Sequence, residues 1–251
     1  TVQQVLSVFF DSAVTEQWTT LIRISQNRDD SDNFSAGAFF SRFNTRRDAL
    51  SWQNDFALSQ SALLTLGADA THDRIESTVD YSDHDRRNSA LFAQWQWSRD
   101  ALGMEVAARR DHNDQFGDHA TGNIALRYNI TGDLNATVSA GTAFKAPSFN
   151  DLYWPNDTFF VGNANLEPEE SETLEVGLRK RMHHGSGAIH LFQTDIDKLI
   201  VYEFTTIGTM NNVERARIQG VEMEIVFELA TWRASAAVSV LDPRNRDTQN
   251  V

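Results

Sequence analysis

Residues 120–144 read A-T-G-N-I-A-L-R-Y-N-I-T-G-D-L-N-A-T-V-S-A-G-T-A-F. Thr131-Gly132-Asp133 is a strong turn signal between two extended runs. In the second run Leu134, Ala136, Val138 and Ala140 take every other position, with Asn135, Thr137 and Ser139 between them. Side chains in a strand repeat every two residues, so one face of this hairpin is apolar and the other polar. The same rhythm runs outward in both directions. Leu102, Met104, Val106 and Ala108 alternate with Gly103, Glu105, Ala107 and Arg109. Trp18, Thr20, Ile22 and Ile24 alternate with Thr19, Leu21, Arg23 and Ser25. Trp232, Ala234, Ala236 and Val238 make another apolar row. No stretch carries a helical period, and alternation without one predicts an all-β chain.

The alternation divides the chain into about twelve strands, on the pattern that strands of this kind follow in barrels. Tight turns alternate with longer polar connections at 26–45, 77–87, 111–119, 144–171 and 202–212. All long connections then fall at one end of the sheet and all tight turns at the other. That asymmetry predicts an antiparallel, up-and-down transmembrane β-barrel, with long loops outside and short turns on the periplasmic side. A Greek-key sandwich would not give so regular an alternation. The first ten residues, T-V-Q-Q-V-L-S-V-F-F, already read as strand, and the last, L-D-P-R-N-R-D-T-Q-N-V, as an open loop. Residues 1–251 are therefore expected to be part of a larger barrel with truncated ends, because an unpaired edge is costly in hydrocarbon.

Composition is compatible with this and excludes other classes. Mean hydropathy is -0.43, and nowhere do about 18 apolar residues run together, so no transmembrane helix is expected. A barrel keeps its average low because lipid-facing residues alternate with lumen-facing ones. The net charge of -13 argues against nucleic acid as a partner. Cysteine is absent, which removes disulfides and thiolate metal sites. No nucleophile elbow, phosphate-binding glycine loop or zincin helix occurs, so no enzyme is expected. Arg109, Arg127, Arg179 and Arg233, with Asp55, Asp69, Glu105, Glu175, Glu222 and Glu224, fall on polar strand faces and predict a charged lumen wall. Trp18, Trp95, Trp97 and Trp232 sit beside tight turns. Tryptophan at that level predicts an interfacial girdle, with core packing as the alternative.

The longest break in the rhythm is 144–171, F-K-A-P-S-F-N-D-L-Y-W-P-N-D-T-F-F-V-G-N-A-N-L-E-P-E-E-S. Its prolines and its Gly-Asn-Ala-Asn run make it neither helix nor strand, and a loop that long usually carries function. F-K-A-P-x-x-x-D-L-Y followed by G-N-x-N-L-x-P-E-x-S resembles the extracellular-loop signature of TonB-dependent outer-membrane receptors. N-N-V-E-R-A-R-I-Q-G-V-E from Asn211 is similar to a second element of that family, N-x-x-x-A-x-x-x-G-V-E. R-R-D-H-N-D-Q-F-G-D-H from Arg109 and R-D-D-S-D-N-F from Arg28 resemble segments of its cobalamin (vitamin B12) receptors. The resemblance spans essentially the whole chain. It implies a barrel of about 22 strands with a plugged lumen, in the bacterial outer membrane, importing a large nutrient. The family's plug domain and its motif for the TonB complex are not in this sequence, nor is the terminal aromatic residue of such barrels.

Within the long loop, Phe144, Pro147 and Leu152 are expected to shape the rim. Lys145, Asn150, Tyr153 and Trp154 are the candidate ligand contacts, since aromatic faces with a few polar groups suit a flat ligand. Their alternative is the same rim-shaping role. Asp29, Asp30, Asp32, Asp80, Asp83 and Asp85 are candidate metal ligands. Similar loops in cobalamin receptors bind calcium, which takes six to eight oxygens and could draw on both loops. The alternative is a solvated acidic rim. His112, His119, His183 and His184 have no fixed metal-ligand spacing. Expected partners are cobalamin or another large nutrient, outer-membrane lipid, and TonB through the plug. Two other readings stay open: a siderophore or haem receptor of the same fold, and a soluble calcium-dependent β-sheet adhesin or carbohydrate-binding module. In the soluble case the apolar rows would be buried between two sheets.

Overall fold

A computed structural model describes residues 1–155, 159–204 and 206–246. The Asn-Asp-Thr part of the long loop at 156–158 and the chain end at 247–251 lie outside the described residues. The strands, in chain order, are β1 (Val2–Thr15), β2 (Trp18–Ser35), β3 (Ala38–Ser59), β4 (Ala62–Ser77), β5 (Asp85–Arg99), β6 (Leu102–Asn113), β7 (Gly117–Asn129) and β8 (Leu134–Lys145). After one short helix, α1 (Phe149–Tyr153), come β9 (Phe160–Val161), β10 (Glu169–Met182), β11 (Gly185–Phe204), β12 (Gly208–Leu229) and β13 (Trp232–Asn245). They form a single 13-stranded sheet, each strand antiparallel to its chain neighbour; β9 alone stands off this path and pairs parallel with β12. No helix among the described residues is long and apolar enough to span a bilayer, so any crossing is by strands.

Register turns the alternation into a continuous surface. Val138 lies opposite Leu126 on β7 and Val176 on β10. Leu126 faces Met104. On the other side Val176 faces Leu191, Leu191 faces Val221, and Val221 faces Val240. This row is not a core: Leu126 and Val138 are each 46% exposed, Leu191 51% and Val240 63%. Among the described residues the buried apolar side chains are few; they include Ile75, Leu152 and Leu166. A soluble sandwich would bury these rows between two sheets, and among the described residues no second sheet covers them. The opposite face carries the polar network. Arg109 reaches Asp69 at 2.6 Å and Asp111 at 2.8 Å, Thr65 donates to Asp55 at 2.6 Å, and His190 meets Glu175 at 2.7 Å. Apolar outside and charged inside is the sign of a barrel wall in lipid.

The six tight turns lie at one end, as expected, with Trp18 and Trp232 beside them. Trp18 stacks on Phe56 (5.6 Å between ring centres) and donates its indole N–H to Asn54 at 3.1 Å. The other end departs from expectation. Residues 26–45 are not a polar loop: β2 and β3 run on as a tall hairpin turned by Ala36 (φ 50) and Gly37 (φ 81). Two successive left-handed residues are what a tight hairpin turn requires. Likewise β6 and β7 are separated by residues 114–116 only, and β11 runs to Phe204. The sides of the connections alternate, but their lengths do not. Polar residues that alternate can continue a ladder into water, and polarity alone does not mark where a strand stops. At 22 residues β3 is about twice the 9–11 residues that cross a bilayer, so the hairpin stands well clear of it.

Candidate ligand-binding rim

The connection 146–168 leaves β8 and folds over the polar face of the sheet. It begins with a helix that the sequence caps. The Ser148 hydroxyl accepts the Asp151 N–H (3.2 Å) and the Asp151 carboxylate accepts the Ser148 N–H (2.9 Å), so the two ends of the first turn satisfy each other. The turn buries Leu152 and Pro147 almost completely.

What receives them is a cluster built from β3, β5 and the β4–β5 and β6–β7 connections. Trp154 lies parallel to Phe43 at 5.6 Å, and Tyr81 stands edge-on to both rings at 6.0 and 6.3 Å. The Tyr81 hydroxyl donates to Asn150 Oδ1 at 2.6 Å. Burial pushes the Tyr81 phenol up to about 12. Arg86 is the clamp. Its Nη1 donates to the Pro147 carbonyl at 2.8 Å and its Nε to Gln115 Oε1 at 3.0 Å. The guanidinium also lies 4.7 Å from the Phe149 ring centre and 5.2 Å from that of Phe116. Gln115 in turn donates to the Tyr153 hydroxyl, and burial raises the Tyr153 phenol as well.

The second half of the loop ties to the opposite part of the wall. Phe160 and Val161 pair with Gly208 and Thr209 of β12. Gly162 is required here: a Cβ would stand 2.6 Å from the Trp154 nitrogen. Asn163 donates to the Met210 carbonyl (3.0 Å) and to Asn211 (3.1 Å). Asn212 accepts the Glu167 N–H at 2.9 Å and donates to the Lys198 carbonyl at 2.6 Å. The loop is thus a strut fixed to β3–β6 at one end and to β11–β12 at the other. In the Gly-Asn-Ala-Asn run Gly162 and Asn163 give their N–H groups to the Trp154 and Asp151 carbonyls, and Asn165 gives its own to Asn163 Oδ1; beyond it the Asn212 amide both accepts from and donates to the Glu167 backbone.

Of the candidate ligand contacts, the structure brings Asn150, Tyr153 and Trp154 together on α1 and its C-cap. Asn150 stays exposed, while Tyr153 and Trp154 are half-buried and hold the strut. Lys145 stands apart at the strand end, exposed, 3.1 Å from Glu169. Sequence reasoning did not single out Phe43, Tyr81, Arg86 or Gln115. Arg86 followed by Arg87 reads as an ordinary charged loop, with no local signal of burial.

The candidate metal ligands are spread out. Asp29 accepts from Gln3 at 2.8 Å, and Asp30 and Asp32 pair with Arg28 (2.8 Å) and Arg42 (2.6 Å). The guanidinium of Arg42 holds the Asp32 carboxyl below its ordinary range. Asp85 meets His72 at 2.9 Å, Asp83 accepts the Asp85 N–H at 3.4 Å, and Asp80 is exposed. Among the described residues no three carboxylates or imidazoles gather as a metal site.

Comparison with known proteins matches residues 5–250 to the family model "TonB dependent receptor-like, beta-barrel". The vitamin B12 transporter of Photobacterium profundum is 32% identical over 230 residues, 89% of this chain and 37% of that protein. That of Vibrio vulnificus is 30% identical over 207 residues, 80% of this chain and 33% of that protein. The chain thus spans about a third of the length of these relatives. Among solved structures, a variant of the ferric enterobactin receptor of Pseudomonas aeruginosa superposes with TM-score 0.79 at 17% identity, over 99% of this chain and 44% of that one. The copper transporter OprC gives 0.77 at 14%, over 98% and 46%. At such identities the structures speak for the fold alone.

Proposed function

The chain belongs to the TonB-dependent receptor family and forms β-barrel wall in the bacterial outer membrane; from that premise we propose that it serves a receptor that binds cobalamin at its extracellular loops for TonB-driven uptake. One observation carries the ligand: the 32% identity to a vitamin B12 transporter over 89% of the chain. The relatives are transporters and receptors, not enzymes.

On this reading the strut is the device that makes a mobile rim into a platform. Its order is set by Arg86, Tyr81 and the asparagines, so little conformational entropy remains to be lost when ligand arrives. Exposed Asn150 and Lys145 supply polar contacts, and the half-exposed rings of Tyr153 and Trp154 supply aromatic surface. The energy for release would come through the plug domain and TonB that the family uses. Calcium would act by drawing Asp29, Asp30 and Asp32 toward Asp80, Asp83 and Asp85, exchanging their ion pairs for metal coordination.

The test is equilibrium binding of cyanocobalamin and of a ferric catecholate siderophore to the full-length receptor in detergent, with and without calcium. Cobalamin alone should bind, more tightly with calcium. Siderophore binding without cobalamin binding would replace the ligand and leave the family standing. Calcium-independent cobalamin binding would reduce the six aspartates to surface ion pairs.

A further inference from the structure

We propose that Arg47 receives an anionic group of the ligand and that Asp73, so released, turns to Arg86 and locks the strut. Asn27, Arg47, Asp73 and Arg86 are successive cross-strand neighbours on β2, β3, β4 and β5. Residues directly opposite share a face, their β-carbons about 5 Å apart. The row therefore lies on the polar face, which the strut covers at Arg86. Hydrogen bonds run along it from both ends. Arg47 grips Asp73 with a fork, Nε on one carboxylate oxygen at 2.5 Å and Nη2 on the other at 2.7 Å. Arg86 donates to Gln115, which donates to the Tyr153 hydroxyl. Between these two halves one link is open. Arg86 Nη2 is buried and among the described residues has no partner, although Asp73 stands directly opposite.

Asp73 lies between two guanidiniums and serves one. It serves the wetter one: the Arg47 side chain is 56% exposed, whereas Arg86 is buried. A buried cation gains more from a carboxylate than an exposed one. Burial lowers the Arg86 pKa, and the neighbouring groups Tyr153, Asp73, Asp114 and Asp83 offset only part of that. The other acids nearby are spent elsewhere. Asp83 accepts the Asp85 N–H at 3.4 Å and Asp114 the Arg87 N–H at 2.9 Å. Asp111 is held by Arg109 and Asn88, both at 2.8 Å, and Asp29, one row above Arg47, by Gln3 at 2.8 Å.

Asp73 thus has two positions, and the occupant of Arg47 chooses between them. A guanidinium fork grips phosphate oxygens as it grips a carboxylate, so an arriving phosphate can take the place of Asp73. Asp73 then turns by one strand spacing and meets Arg86 Nη2. The exchange breaks one guanidinium–anion pair and forms two. Fixing the Arg86 guanidinium also fixes the Pro147 carbonyl it holds, so ligand capture tightens the strut. Cobalamin carries one phosphodiester, which suits Arg47. The ligand half of the proposal rests on the cobalamin reading above; the switch between Arg47 and Arg86 does not.

The test has two arms on the full-length receptor in detergent. The first is chymotrypsin cleavage within 146–168 without ligand. Arg47→Ala releases Asp73, so it should slow cleavage by about tenfold, and adding Asp73→Ala should restore the wild-type rate. A merely structural ion pair predicts the reverse, unchanged or faster cleavage in Arg47→Ala. Arg127→Gln, lower on the same face, should change nothing. The second arm is equilibrium binding of cyanocobalamin and of dicyanocobinamide, a corrinoid without the phosphodiester. Arg47→Ala should weaken cyanocobalamin by about tenfold and leave dicyanocobinamide unchanged. Unchanged or faster cleavage in Arg47→Ala, or equal weakening of both corrinoids, overturns the proposal. Failure of both corrinoids to bind the wild type removes the cobalamin reading, and the cleavage arm still decides the switch.

Discussion

Arg86 shows what a single side chain does in this rim. It is 9% exposed, and among the described residues its Nη2 is buried without a partner. Burying a cation costs free energy, and the clamp recovers it through the Pro147 carbonyl, Gln115 and two aromatic faces. Hydrogen bonds from a charged group are worth about 1.5–3 kcal/mol, so Arg86→Gln should raise proteolysis within 146–168 by roughly ten- to a hundredfold. Barrel unfolding should be unchanged, which urea titration would check. Tyr81→Phe removes one neutral hydrogen bond, worth about 1 kcal/mol, or about fivefold in the same assay. The phenol of Tyr81 is raised above its unfolded value, so its contribution is complete below pH about 10 and lost as pH rises toward about 12. A tyrosinate absorbance titration should show a late transition that Tyr81→Phe abolishes. None of this was legible locally. Tyr81 and Asn150 lie 69 residues apart, and their pairing exists only once the sheet has curved.

At the scale of elements, hairpins were legible where turn chemistry is strong. The Thr131-Gly132-Asp133 turn lies between β7 and β8 as read, and the apolar rows keep their faces through every strand. Strand ends were not legible, as the β2–β3 hairpin shows. The pleat sets which face a residue takes, while extra ladder hydrogen bonds in water set the length, and those depend on the neighbouring strand. The strand-bearing turns have their own requirements. Gly185 opens β11 with φ 151, and a Cβ there would stand 1.9 Å from the Val226 carbonyl oxygen. Gly185→Ala should therefore cost about 1–3 kcal/mol, read as a lower urea midpoint for the full-length receptor refolded into vesicles.

For the whole molecule, the sheet's two faces decide everything else. Val138 is in the middle of the apolar row and Thr137, its chain neighbour, points the other way. Val138→Arg should destabilise the folded receptor in vesicles by about 2–4 kcal/mol, the cost of a cation near the bilayer midplane. Thr137→Arg, facing the charged wall of Arg127 and Glu175, should cost much less. Equal costs would mean that the apolar face does not meet lipid. The strut adds a second level of organisation, since it ties β3–β6 to β11–β12 across strands distant in sequence. A ligand that bridges its exposed residues would sense both parts of the wall at once.

The amino-acid sequence by itself determined that this chain is sheet, that the sheet has one oily and one charged face, and that its tight turns share an end. A two-residue period carries all of that, because it is local and needs no partner to be read. Only the tertiary structure decided that the long loop is a strut, that Arg86 and Tyr81 hold it, and that Arg47, Asp73 and Arg86 of three strands share one row across the wall. Those facts depend on cross-strand register and on contacts across the sheet, where residues far apart in the chain are brought within hydrogen-bond reach.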